Sequence, residues 1–69
     1  MPLTLAGAGN TNTIKRIGGR NETRMFLERL GFVQGCHVTV VAENCGNVIV
    51  KVRESRVAVS REMARHIMV

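Results

Sequence analysis

The chain has no Trp, no Tyr and no Asp, only two Phe and a single Pro. Each scarcity excludes something. With Phe26 and Phe32 as its only aromatic rings, the core must be aliphatic. For the same reason, a barrel that reads single-stranded nucleic acid on aromatic stacking platforms has almost nothing to stack with. Without Asp, and with Glu22, Glu28, Glu43, Glu54 and Glu62 scattered along the chain, no carboxylate pair is spaced for acid–base work. Neither His37 nor His66 stands at a nucleophile–base spacing from a Ser or Cys, so no enzyme is expected. No apolar run approaches the roughly 18 residues of a membrane span, and the opening MPLTLAGAG has no basic segment ahead of an apolar one. A cytoplasmic location is expected. The segment GAGNTN holds Gly7 and Gly9 but lacks the third glycine and the strand–turn–helix setting of a phosphate loop.

Cysteine is scarce too. Cys36 and Cys45, with His37 and His66, are zinc-ligand types, but their placement argues against one site. Cys36 opens a strand and Cys45 sits at the tip of the following hairpin, which separates them by on the order of 25 Å of extended chain. That is too far for one metal or for a disulfide. Cys36 shares the inward parity of Val38 and reads as a small core residue, and Cys45 as a free loop thiol. No cofactor and no intrinsic metal site are expected. A metal bridge between two molecules through Cys45 or His37, and a weak homo-oligomer, stay open.

What is present is valine and positive charge. Sixty-nine residues make one domain, residues 1–69, near the lower size limit for an unstapled core. The net charge of +5 suits nucleic acid, anionic lipid or an acidic protein surface as partner. Its ten cations, eight of them Arg, form no run of five or six, which is the pattern of a solvated surface.

Thr13 to Ile17 reads as a first strand ending at Gly18-Gly19, with Leu3 and Leu5 tucked against the body ahead of it. Asn21 is the expected N-cap of a short helix, Glu22 to Leu30, that buries Thr23, Phe26, Leu27 and Leu30 on one stripe. Gly31 then ends the helix in a left-handed conformation, with Phe32 folding back over Leu27, and Gly35 reverses the chain into a long strand. In CHVTVVAE the residues Val38, Val40 and Ala42 alternate to one face, and in NVIVKVRE so do Val48, Val50 and Val52. A three-residue loop Asn44-Cys45-Gly46, with Gly46 left-handed, would set Val38 opposite Val52, Val40 opposite Val50 and Ala42 opposite Val48. The same register places Val41 opposite Ile49 on the outer face, Thr39 beside Lys51, and His37 beside Arg53. A turn at Glu54-Ser55, a strand Arg56 to Val59 with Val57 and Val59 inward, a helical turn capped by Ser60, and a closing strand Ile67 to Val69 complete the chain. The fold class is mostly β: a small barrel of about five antiparallel strands with one short helix after the first.

The stretches ETRMFLERLGFVQGCHVTVV, GNVIVKV and SRVAVSREMARHIMV together resemble the FeoA family of small accessory proteins of bacterial ferrous iron transport. Leu30-Gly31, Gly35, the Val38/Val40 alternation and the ending Ala64 to Val69 carry the likeness, which covers nearly the whole chain. The family often has Gly near Glu54-Ser55, and Pro where this chain has Asn47. The resemblance implies an SH3-like barrel and a non-enzymatic role, exercised on the cytosolic side of FeoB, the ferrous iron permease with a GTPase domain. Contact with the membrane would then be only indirect. FeoA-like domains also end some metal-dependent repressors, but no DNA-binding helices precede this one, so the stand-alone form is expected. The resemblance names a partner and no contact residue. From the residues, the expected docking surface is the outer pair Val41 and Ile49, rimmed by Thr39, Lys51 and Arg53. The rival reading is a basic small barrel that binds RNA or DNA.

Overall fold

A single extended run near the start of the chain serves two sheets. The computed structural model describes residues 1–69. Strand β1 (Thr11–Thr13) pairs antiparallel with β3 (His37–Asn44), whereas β2 (Arg16–Ile17) pairs antiparallel with β6 (Ile67–Met68). The expected single strand Thr13–Ile17 is therefore two. Ile14 N–H donates to Cys36 O (2.8 Å) and Lys15 N–H donates to Met68 O (2.7 Å), so the backbone changes partners between adjacent residues. Burial of Ile14 at that corner fixes the bend. With β4 (Asn47–Val52) and β5 (Ser55–Ser60), the larger sheet has the order β1-β3-β4-β5. Six strands in sheets of four and two thus replace about five in one, and the helix follows the second strand.

All fourteen buried residues are apolar, so no buried side chain requires a polar partner. Val38, Val40, Val48, Val50 and Val52 line the concave side of the large sheet at no more than 1% exposure. Full burial of one such side chain is worth about 1.5–3 kcal/mol. Leu3, Ile14, Leu27, Phe32 and Ile67 close over them. Leu3 is buried as expected, but Leu5 is 71% exposed, because the 3-10 turn Leu3–Leu5 directs only its first residue inward. The two chain ends meet: Val69 N–H donates to Met1 O (2.7 Å), the Met1 amino group donates to Val69 O (3.0 Å), and Pro2 bridges to Met68.

Helix α1 (Asn21–Arg29) begins one residue earlier than expected. Arg20 occupies the N-cap without a side-chain bond, and Asn21 Oδ1 instead accepts from Arg24 Nη2 (2.9 Å). The carbonyl that would cap the helix is engaged by a cation one turn on. The buried stripe is also narrower: Leu27 is fully buried, Thr23 and Leu30 are half-buried, and Phe26 is exposed. A nine-residue helix touching the core along one line buries Leu27 on that line and leaves its neighbour Phe26, turned about 100° away, in solvent.

The helix exit follows the expected form. Gly31 has φ +108; its N–H donates to Glu28 O and Phe32 N–H donates to Leu27 O, both at 3.0 Å, which is the Schellman pair of bonds. Phe32 and Leu27 are both fully buried. Gly35, at φ +90, then donates to Ile14 O (2.8 Å) as the chain turns into β3.

The β3–β4 ladder agrees with expectation as far as Val38↔Val52, Thr39↔Lys51 and Val40↔Val50. Beyond Val40 it shifts by one: Ala42 faces Ile49, Glu43 faces Val48 and Asn44 faces Asn47, with Val41 the extra residue of a bulge. The loop is accordingly the two residues Cys45-Gly46, both left-handed at φ +41 and +85, rather than three. Val41 does not oppose Ile49, and Ala42 does not oppose Val48. The β4–β5 turn is Arg53-Glu54, with Arg53 at φ +56, one residue ahead of the expected Glu54-Ser55. Val57 and Val59 do face inward, and Ser60 caps the four-residue helix α2 (Arg61–Ala64) by accepting from Met63 N–H (3.2 Å). No helix is long and apolar enough to cross a membrane.

Candidate partner-binding face

The convex side of the large sheet is built from the residues that alternate with the buried valines. Antiparallel pairing places directly opposed residues on one face, so the registers define rows running across the strands. One row is Thr11, Thr39, Lys51 and Arg56. The next is Ala42, Ile49 and Ala58, with Val41 bulging beside it. A shorter row joins Thr13 to His37.

Hydrogen bonds tie the β1 end of this face. Thr11 Oγ1 and Thr39 Oγ1 lie 2.9 Å apart, and Thr13 Oγ1 lies 3.2 Å from His37 Nδ1. The other end is cationic and unpaired. Of the ten Lys and Arg side chains only Arg24 and Arg61 meet a carboxylate, so Lys51, Arg53 and Arg56 carry uncompensated charge. Arg53 Nη2 makes one weak contact, 3.9 Å to Cys36 Sγ. Cys36, His37, Thr39, Lys51 and Arg53 line a shallow open groove. The apolar centre is modest: Val41 is 39% exposed, Ile49 half-buried and Ala58 exposed.

Of the five residues expected to make the docking surface, Thr39, Lys51 and Arg53 share that groove. Ile49 stands one row away, and Val41 lies at its margin as the bulge residue instead of as the cross-strand partner of Ile49. His37 meets Thr13 across the ladder, and reaches Arg53 only as a fellow wall of the groove. Arg56 and Ala58 belong to the face and were not anticipated. With the turn set at Glu54-Ser55, the pairing would move by two residues and Lys51 would oppose Ala58 instead of Arg56. The true register puts Arg56 beside Lys51 and strengthens the positive end.

The four metal-ligand types stay dispersed. Cys36 is half-buried against the core, Cys45 is exposed at the hairpin tip, and no three His, Cys or Glu side chains gather anywhere in the fold. A second depression lies between the start of α1 and α2, where Arg20, Arg65 and His66 stand with Glu62.

A family model of the FeoA domain matches residues 1–69. No curated protein matches the sequence. Among solved structures, a crystal structure of an iron uptake regulatory protein (FeoA) superposes with a TM-score of 0.86 at 27% identity, covering 96% of this chain and 88% of that one. FeoA of Stenotrophomonas maltophilia complexed with zinc, described as a prokaryotic SH3 domain protein, superposes with a TM-score of 0.86 at 22% identity, covering 99% and 87%. A manganese-dependent transcriptional repressor gives a TM-score of 0.88 at 20% identity; the match covers 97% of this chain but 39% of that one. The last two share the fold alone, and the architecture is that of an SH3-like barrel.

Proposed function

The chain belongs to the FeoA family, and from that premise we propose that it is a cytoplasmic, non-enzymatic accessory protein of bacterial ferrous iron uptake that acts by contact with the cytosolic part of a FeoB-type permease. The observation that carries this reading is the convex face. It combines a small apolar centre, Val41 and Ile49 with Ala58, and a rim of Thr39, Lys51, Arg53 and Arg56 whose cations have no internal partner. An interface with an apolar centre and a charged edge suits association with another protein.

The double substitution Val41→Thr with Ile49→Thr tests it. Both replacements keep the β-branch and remove the apolar anchor, so the barrel stays folded while binding weakens. Expected is a loss of permease-domain capture and of whole-cell ferrous iron uptake, with the circular dichroism spectrum unchanged. A folded double variant that binds and supports uptake normally would move the contact elsewhere. The rival nucleic-acid reading is separated by titrating single-stranded RNA at two salt concentrations, because phosphate contacts lose affinity steeply with salt. Nanomolar binding at physiological salt would favour it over the permease.

A further inference from the structure

The two edges of the large sheet are protected very differently. The β1 edge is only three residues long, and Gly9 N–H extends it by donating to Val40 O (2.8 Å). The β5 edge runs six residues, Ser55–Ser60, with no proline, no bulge and one charged side chain, and no strand pairs along its outer side. Exposed edges in natural proteins are ordinarily blunted by shortness, proline, bulges or several charges. This one is left open.

The register says which backbone groups are free. Val52 and Ser55 flank a two-residue turn and so form a hydrogen-bonded pair; alternation then turns the N–H and C=O of Ser55, Val57 and Val59 toward β4. Those of Arg56 and Ala58 point away from the sheet. β5 pairs only with β4, no side-chain, turn or loop hydrogen bond reaches Arg56 or Ala58, and both residues are exposed. Ala58 is also too small to shield the backbone beside it.

We infer that the outer edge of β5 is a docking strand for an extended acidic peptide segment, which would add to the sheet through the N–H and C=O groups of Arg56 and Ala58. The inference rests on the permease reading above only for the identity of the protein that carries the segment. Charge selects the occupant. An added strand lies about 5 Å from β5, and its outward side chains would stand next to Arg56, which is itself beside Lys51, with Arg53 in the turn at the same end. None of these three cations has a carboxylate partner within the chain. A second copy of the chain is the poorer occupant, since it brings another net +5 to the same place. Nucleic acid would need stacking rings, and β5 has none.

Amide hydrogen exchange on the full chain tests this, with two probes: a synthetic peptide of alternating Thr and Glu about eight residues long, and the permease's cytosolic domain. Expected is slowing of the Arg56 and Ala58 amides by about tenfold or more on binding, with little change at Val57 and Val59, which are already bonded to β4. Ala58→Pro removes only the outward donor and is tolerated on an edge strand; it should weaken peptide binding about tenfold. Arg56→Glu leaves the backbone intact and should weaken it similarly, with a flatter salt dependence. These two variants fail for different reasons, so a folding defect in the first does not decide the matter.

If neither probe slows the two amides, or if both variants bind the peptide as the parent does, the docking strand is disproved. It is equally disproved if the amides are slowed only by self-association or only by an oligonucleotide. Permease-domain binding with protection elsewhere would leave the permease reading standing and remove this one. Peptide protection of the edge with no permease binding would do the reverse.

Discussion

The concave and convex faces of the large sheet are made by alternate residues of the same strands, yet they obey different constraints. Inside, five identical valine side chains pack at no more than 1% exposure, and any slip by one residue would replace them with Thr39, Lys51 or Ile49. Outside, threonines, cations and a few small apolar residues stand in rows with no packing demand upon them. Register is thus set from within, and the outer face is left free to be specified by what it must touch. Stability and recognition occupy opposite sides of one layer.

The sharpest way to break that division is Val50→Ala. It removes two buried carbons from a residue with no exposure and should cost about 2–3 kcal/mol, a large share of a small domain's stability, read as the midpoint shift in urea unfolding. Gly31→Ala comes next. An added Cβ would lie 3.7 Å from Val52 Cγ1, an ordinary contact, so the expense is conformational: about 1–2 kcal/mol for an L-residue at φ +108, seen as a melting temperature lowered by several degrees. A melting temperature unchanged by this replacement would show that the left-handed stop is not needed.

Ser60→Ala removes the acceptor of Met63 N–H and should cost about 1 kcal/mol by the same measurement, fraying α2 without disturbing the valine layer. The smallest effect on stability is expected from Val41→Thr with Ile49→Thr, under about 1 kcal/mol, since both lie on the convex side and keep their branched shape. Were that pair to destabilise as much as Val50→Ala, the convex face would belong to the core and the division would collapse.

The same division explains how far the sequence could be read. The valine alternation and its pairing through Val40↔Val50 were legible because burial leaves one solution. The bulge at Val41 was not. A three-residue loop with an even ladder and a two-residue loop with one bulge consume the same number of residues, and apolar Val41 and Ile49 fit the outer face either way. Cys45 gave no hint that it would adopt φ +41, a conformation usually left to Asn, Asp or Gly. At α1 the glycine stop was legible from backbone rules alone, whereas the start was not, because Arg24 competes for the Asn21 carbonyl. For the candidate face, Thr39, Lys51 and Arg53 could be named from one hairpin; Arg56 and Ala58 required the position of the next turn. The FeoA resemblance, carried by glycine and valine spacing, spoke to family and fold: its valines Val38 and Val40 are buried, and Gly31 and Gly35 sit in turns.

The hydrogen bonds between Met1 and Val69 make the path of this polypeptide nearly a closed ring. A host chain could therefore leave at one point, run through the whole barrel and resume within a few ångströms of where it departed, with neither side of the host displaced. Such a domain is portable: its two ends are placed as insertion into a surface loop of another protein requires.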